Sequence, residues 1–264
     1  MRVRPGQRLR AGLFNLGFYL WTAGLAVAVL PAAPFMGAPA MRAYARFWLR
    51  GTQAMLRHIV GLDHEVRGLE RLPPGPVIIA SKHQSAWETL FFHLVRPELV
   101  IALKEELTRI PLFGWYLTIA GSIRIDRRGG GRALRSLLEG ARRAVERGES
   151  VLIFPEGTRR PPGAPPAYKP GVAALYAALG VPCVPVALNS GLYWGRRSFL
   201  KHPGRIVVEF LEPIPPGLPR ATFVRLLEAR IETATERLLA EAGGKRAEVS
   251  AAATAGGAHE EPRS

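Results

Sequence analysis

The sequence predicts an α/β fold, a mostly parallel sheet flanked by helices, preceded by an N-terminal two-helix membrane-associating motif. Three observations predict it. From Asp63 onward short β-rich runs alternate with longer helical patterns, the signature of a largely parallel sheet. A chain of 264 residues, 48% hydrophobic and 22% charged, is long and apolar enough to bury one substantial core. Before that domain, the run Ala11 to Met41 carries no charge at all. The expected division is 1–62 for the N-terminal membrane-associating helices, 63–242 for the α/β domain and 243–264 for a disordered tail of Gly, Ala, Ser and charged residues.

Within the N-terminal part, Ala11 to Leu30 makes a helix about 30 Å long, enough to reach across a bilayer. Prolines 31, 34 and 39 end it. A second helix is expected from Met41 to Val60, with Arg42, Arg46 and Arg50 at i, i+4 and i+8 on one face and Tyr44, Phe47, Trp48 and Leu49 among them. No carboxylate lies nearby in sequence to pair these arginines, which favours a headgroup-level helix over one packed on the domain with its arginines in water. A cleaved signal peptide fits less well, because Pro39 sits inside the only small-residue site, Ala38-Pro39-Ala40.

In the domain, six strands are expected: Val77 to Ala80, Val100 to Leu103, Ser122 to Ile125, Val151 to Phe154, Val184 to Leu188 and Ile206 to Phe210. Helices are expected at Trp87 to Val95, Leu112 to Ile119, Arg132 to Arg147, Gly171 to Leu179 and Thr222 to Ala240.

Charge narrows the partners. Lys plus Arg exceeds Asp plus Glu by fifteen, which calls for a polyanionic partner. Eight arginines precede the first acidic residue, Asp63, and they flank the apolar run, so the partner is an anionic membrane surface and not nucleic acid. The lone Cys183 forms neither an internal disulfide nor a Cys-rich metal site, and no His-Glu-x-x-His pair exists among the six histidines, so no metal is expected. The glycines at 129–131 lack the Gly-Lys-Ser/Thr ending of a nucleotide loop and read as a linker.

The chemistry-bearing residues follow strands. After the first stands Ser81-Lys82-His83-Gln84-Ser85-Ala86-Trp87-Glu88. On a helix His83 and Glu88 would diverge, so a loop entering a helix must bring them together. A carboxylate bonded to one imidazole nitrogen leaves the other free as a general base, although a solvated surface pair has the same spacing. After the fourth strand comes Phe154-Pro155-Glu156-Gly157-Thr158-Arg159, where glycine permits close backbone approach and arginine offers a forked donor to phosphate. After the third comes Gly121 to Arg127, again basic. Ligands of open α/β sheets bind beyond the carboxyl ends of strands, so these elements converge on one site.

These blocks, with Val184-Pro185-Val186 as a fourth, resemble the membrane-associated glycerolipid acyltransferases, above all the bacterial 1-acylglycerol-3-phosphate acyltransferases. The resemblance covers roughly 77–189 in the family's order. Glu88 stands where the family usually has Asp, and Lys82 where it usually has Asn; Lys82 reads either as a phosphate contact or as a solvated charge. The resemblance implies acyl transfer from a thioester donor, acyl-CoA or acyl-ACP, to the sn-2 hydroxyl of 1-acylglycerol 3-phosphate, a membrane lipid acceptor, giving phosphatidic acid with no cofactor. It implies His83 as general base, Glu88 as its orienting carboxylate, Arg127, Arg159 and Lys104 as phosphate-binding cations, and Glu156, Gly157 and Thr158 as the substrate loop. The expected place is the cytoplasmic face of a bacterial inner membrane, monotopic, with an apolar groove guiding the acyl chain. A related acyltransferase with another acceptor, and a non-catalytic basic peripheral membrane protein, are the alternatives.

Overall fold

A computed structural model describes residues 5–110, 113–125 and 130–256. Seven strands form one sheet: β1 (Leu62–Arg67), β2 (Ile78–Ser81), β3 (Leu99–Lys104), β4 (Ile123–Ile125), β5 (Ser150–Ile153), β6 (Cys183–Leu188) and β7 (Gly204–Phe210). Their order is β1-β7-β6-β2-β5-β3-β4, and every neighbouring pair is parallel except β6 with β7. The largely parallel sheet is therefore as expected, with one strand more. β1 escapes the sequence reading because Asp63, His64, Glu65 and Arg67 give it too little apolar content; it is an edge strand in which only Leu62 is buried.

Helices cover both faces. α1 (Pro5–Ala28), α2 (Ala38–Met55) and α3 (Trp87–Val95) lie towards one, where Phe14, Trp87 and Phe92 pack with Ile79, Val186 and Val208. α5 (Gly131–Glu146), α6 (Pro170–Leu179) and α7 (Arg220–Gly256) lie on the other, where Leu137, Tyr176, Phe223 and Leu227 meet Ile78, Val100 and Val151. The alternation Ile78, Ile79, Ala80 sends successive side chains of β2 to opposite faces, as a strand buried on both sides requires. The short α4 (Phe113–Ile119) leads into β4.

α1 starts earlier than expected and α2 runs into a π turn at Leu56–Val60, closed by Gly61 at φ 76°. The two helices approach closely at Gly51, where a Cβ would fall 2.6 Å from the Trp21 ring. Trp21 Nε1 donates to the Trp48 carbonyl at 3.0 Å and Tyr44 to the Leu25 carbonyl at 2.7 Å. The outer face of α1 stays bare, with Leu9, Leu13, Leu16, Tyr19, Leu20 and Val27 all more than half exposed.

Two expectations need correction. Arg42 is not part of an outward stripe: it is buried, donates to the Ala120 carbonyl at 2.8 Å and pairs with Glu149 at 2.7 Å, a carboxylate distant in sequence that folding brings beside it. Of the three only Arg50 is exposed, and Arg46 is half-buried. The C-terminal helix also outlasts its expected end at Ala240, since α7 runs on to Gly256.

Candidate active site

The turn between β2 and α3 folds the expected pair together. His83 Nδ1 lies 2.9 Å from Glu88 Oε1. Glu88 sits in the first turn of α3, where backbone N–H groups lack helical partners and the helix dipole favours negative charge. Its carboxylate reaches back to accept the N–H groups of Gln84 and Ser85, both at 2.6 Å on Oε1, while Oε2 accepts the Ser190 hydroxyl at 2.8 Å. Glu88 is 0% exposed, and these four donors satisfy it inside the protein. The His83 ring stacks on Phe154 at a centroid distance of 3.9 Å. With Nδ1 committed to Glu88, Nε2 is the nitrogen with no hydrogen bond among the described residues.

The 154–160 segment closes against the same turn. Gly157, at φ 64°, donates to the Phe154 carbonyl at 2.9 Å, making the tight bend that its conformation allows. Arg160 N–H donates to the His83 carbonyl at 2.8 Å, which sets half-buried Arg159 and exposed Thr158 next to the histidine. Glu156 points the other way. It is buried, 3.2 Å from Lys82 Nζ and 3.6 Å from Arg160 Nε, and supports the segment from beneath. Burial raises its pKa, and Lys82 only partly offsets that.

Lys82 is neither a solvated charge nor an outward-facing cation. It is 3% exposed and bonds Glu232 of α7 at 2.8 Å as well as Glu156. Tyr168 donates to the same Glu232 at 2.9 Å, and burial, followed by that carboxylate, pushes its phenol pKa upward. Lys104 ends β3 in register with Ile125 of β4; its side chain lies outside the described residues, as does Arg127 altogether.

Ser190 and Gln84 were missed by sequence reasoning. Ser190 follows β6, and Gln84 Oε1 accepts the neighbouring Gly191 N–H at 3.0 Å, tying the β6 end to the histidine turn. The rule that sites form at strand ends pointed to the residues after Val184-Pro185-Val186, but nothing local marks Ser190.

Beginning at Thr89, the residue after Glu88, an apolar cavity of about 470 Å³ runs between α1, α2, α3, β3 and α4. Leu25, Tyr44, Trp48, Leu90, Ile101 and Leu117 line it. Its basic members are Arg42, held by Glu149, and His93, whose pKa falls to about 4 through burial and then the charges of Arg42 and Arg46. Cys183 is a buried core residue of β6. Among the described residues no three His, Cys, Asp or Glu side chains converge as a metal site.

A buried carboxylate that fixes an imidazole at the carboxyl edge of a parallel sheet, beside an arginine-bearing loop, is an arrangement that can support general-base chemistry. The Acyltransferase family profile matches residues 63–189, the stretch that contains His83, Glu88 and the 154–160 segment, with Ser190 just beyond it. This chain is an acyltransferase and belongs to the 1-acyl-sn-glycerol-3-phosphate acyltransferase family. It is 39% identical to the 1-acyl-sn-glycerol-3-phosphate acyltransferase of Pseudomonas aeruginosa over 210 residues, 76% of this chain and 79% of the relative. It is 30% identical to the human 1-acyl-sn-glycerol-3-phosphate acyltransferase alpha over 76% of this chain and 72% of that one. In fold it is similar to the crystal structure of the 1-acyl-sn-glycerophosphate acyltransferase of Thermotoga maritima, with TM-score 0.70 and 22% identity, covering 89% of this chain and 98% of that one. Among the described residues one helix, Gly6–Ala28, is long and apolar enough to cross a membrane.

Proposed function

We propose that this acyltransferase moves a fatty acyl group from acyl-CoA or acyl-ACP to the sn-2 hydroxyl of 1-acylglycerol 3-phosphate, giving phosphatidic acid, and that it needs no cofactor. The observation that carries this reading is the His83–Glu88 pair, with the carboxylate wholly buried and satisfied and Nε2 left for substrate. His83 Nε2 takes the hydroxyl proton as the oxygen attacks the thioester carbonyl. Glu88 holds the tautomer and stabilises the imidazolium that forms. The tetrahedral intermediate collapses with cleavage of the C–S bond, and the imidazolium returns the proton to the leaving thiolate. Ordinary general-base assistance of this kind is worth roughly 10²- to 10⁴-fold.

Arg159, beside the histidine turn, holds the acceptor phosphate through its planar fork, together with Lys104 and Arg127; the backbone of Gly157 and Thr158 shapes the loop. The apolar cavity takes an acyl chain. A methylene fills about as much space as a water, on the order of 30 Å³, so the cavity has room for a chain of fatty-acid length.

The protein is read as monotopic on the cytoplasmic face of a bacterial inner membrane. The bare apolar face of α1 and the return of α2 to the domain support this, since both helices pack against the same catalytic domain. The test is an acceptor panel with CoA and carrier-protein donors, scored by product mass, using wild type and His83→Ala. Product from 1-acylglycerol 3-phosphate that disappears in the variant supports the reading. Preference for glycerol 3-phosphate or a lyso-aminolipid would replace the acceptor, and no product from any acceptor would reject the reading.

A further inference from the structure

The loop from Ser190 to Pro203, between β6 and β7, joins the catalytic turn to α1, and beyond Gly191 it plays no part in the chemistry above. At one end Ser190 holds Glu88 and Gly191 holds Gln84. At the other the loop is fastened to the apolar N-terminal helix. Buried Lys201 donates from Nζ to Asn15 Oδ1 at 2.7 Å and lies 4.9 Å over the Trp194 ring, and Asn15 Nδ2 donates to the Phe199 carbonyl at 3.4 Å. Between these anchors the tip is turned outward.

What the tip exposes is specific. Phe199 is 58% exposed, and its ring comes within 4.0 Å of where a Cβ on Gly12 would stand. It therefore continues the bare strip formed by Leu9, Leu13 and Leu16 of α1. Arg196 and Arg197 beside it are exposed, and the stretch from Ser190 to Arg205 contains no Asp or Glu. Arg197 has φ 55°, the one non-glycine residue at positive φ among the described residues, a conformation that costs free energy and concentrates at functional segments. Arg196 Nη1 also reaches the Arg159 carbonyl at 3.5 Å.

One exposed phenylalanine needs no explanation. An aromatic tip flanked by two arginines, without a carboxylate and continuous with an apolar helix face, has the chemistry of a headgroup-level membrane contact. We propose that residues 194–200 form a second membrane-surface element, with Phe199 inserted beside α1 and Arg196 and Arg197 on anionic lipid phosphates. The loop is then the lip over which a lipid passes from the bilayer to Arg159. The proposal rests on the membrane reading of α1.

The test uses the full chain with an environment-sensitive fluorophore at Phe199→Cys; buried Cys183 does not compete for the label. Labels at Leu16→Cys on α1 and at exposed Ser136→Cys on α5 are the membrane and aqueous references. On phosphatidylglycerol vesicles the label at 199 is expected to shift to the blue and lose iodide quenching, as at position 16 and unlike position 136. Adding Arg196→Glu and Arg197→Glu is expected to reverse this at 199 but not at 16. Shielding at 16 with full quenching at 199 would overturn the loop contact alone. Quenching at both would overturn the membrane reading of α1 and the loop contact with it.

Discussion

Arg42 of α2 and Glu149, the residue before β5, form a buried ion pair at 2.7 Å across two parts of the chain. Through it the second N-terminal helix grips the strand that ends beneath Phe154 and His83. The pair is asymmetric: Glu149 also has Arg147 at 2.7 Å, whereas among the described residues Arg42 hydrogen-bonds beyond Glu149 only to the Ala120 carbonyl.

That asymmetry predicts the order of two substitutions. Glu149→Leu strands a buried guanidinium and is expected to destabilise the fold by about 3 kcal/mol or more, with Arg42→Met costing less and the double substitution recovering most of the loss. Urea unfolding in detergent micelles checks the order. Burial alone would raise the Glu149 pKa, but hydrogen bonds from Arg147 and Arg42 outweigh it and hold the carboxyl below 4.5. A lowered folded-state pKa gives stability that is complete above the unfolded value and fades as pH falls through the folded one. Wild type should therefore lose its advantage over the double variant only below about pH 4.5.

Replacing Glu88 by Gln separates charge from geometry. The amide oxygen can still accept from His83, Gln84 and Ser85, and the Ser190 hydroxyl can rotate to accept from the new NH₂. Folding should be intact while kcat falls on the order of 10²- to 10⁴-fold, because the imidazolium has lost its counter-charge. Glu88→Asp keeps that charge and should retain substantial activity. Equal turnover for Gln and Glu would dismiss the proposed role.

Ser190→Ala removes the donor to Glu88 Oε2, leaving one buried carboxylate oxygen unpaired. The expected cost is about 1–3 kcal/mol in stability. Turnover should drop by less than with Glu88→Gln, since the charge remains. Thermal unfolding alongside steady-state kinetics reads both effects, and Ser190→Thr, which restores the hydroxyl, should rescue them.

For Arg159→Lys the acceptor KM should rise more than kcat falls, because lysine keeps the charge and loses the fork. Comparing acceptors with and without phosphate decides the role: an equal loss on both would mean that Arg159 shapes the loop and does not read the phosphate.

The sequence alone determined the order of the domain's strands from β2 to β7, because burial on both faces writes near-continuous apolar runs such as 77–80 and 184–188, and α3 was legible to the residue. It also singled out His83 and Glu88, which share one turn and so need no distant partner to meet. Tertiary structure decided everything that depends on which strands lie side by side. β2 sits between β6 and β5, and only that order carries Ser190 to Glu88, 102 residues away in the chain. It likewise decided that Lys82 faces inward to Glu156 and Glu232, and that Arg42 meets Glu149 rather than headgroups. Local pattern records how a residue is buried; the partner of a buried charge is set by long-range packing, which periodicity does not encode.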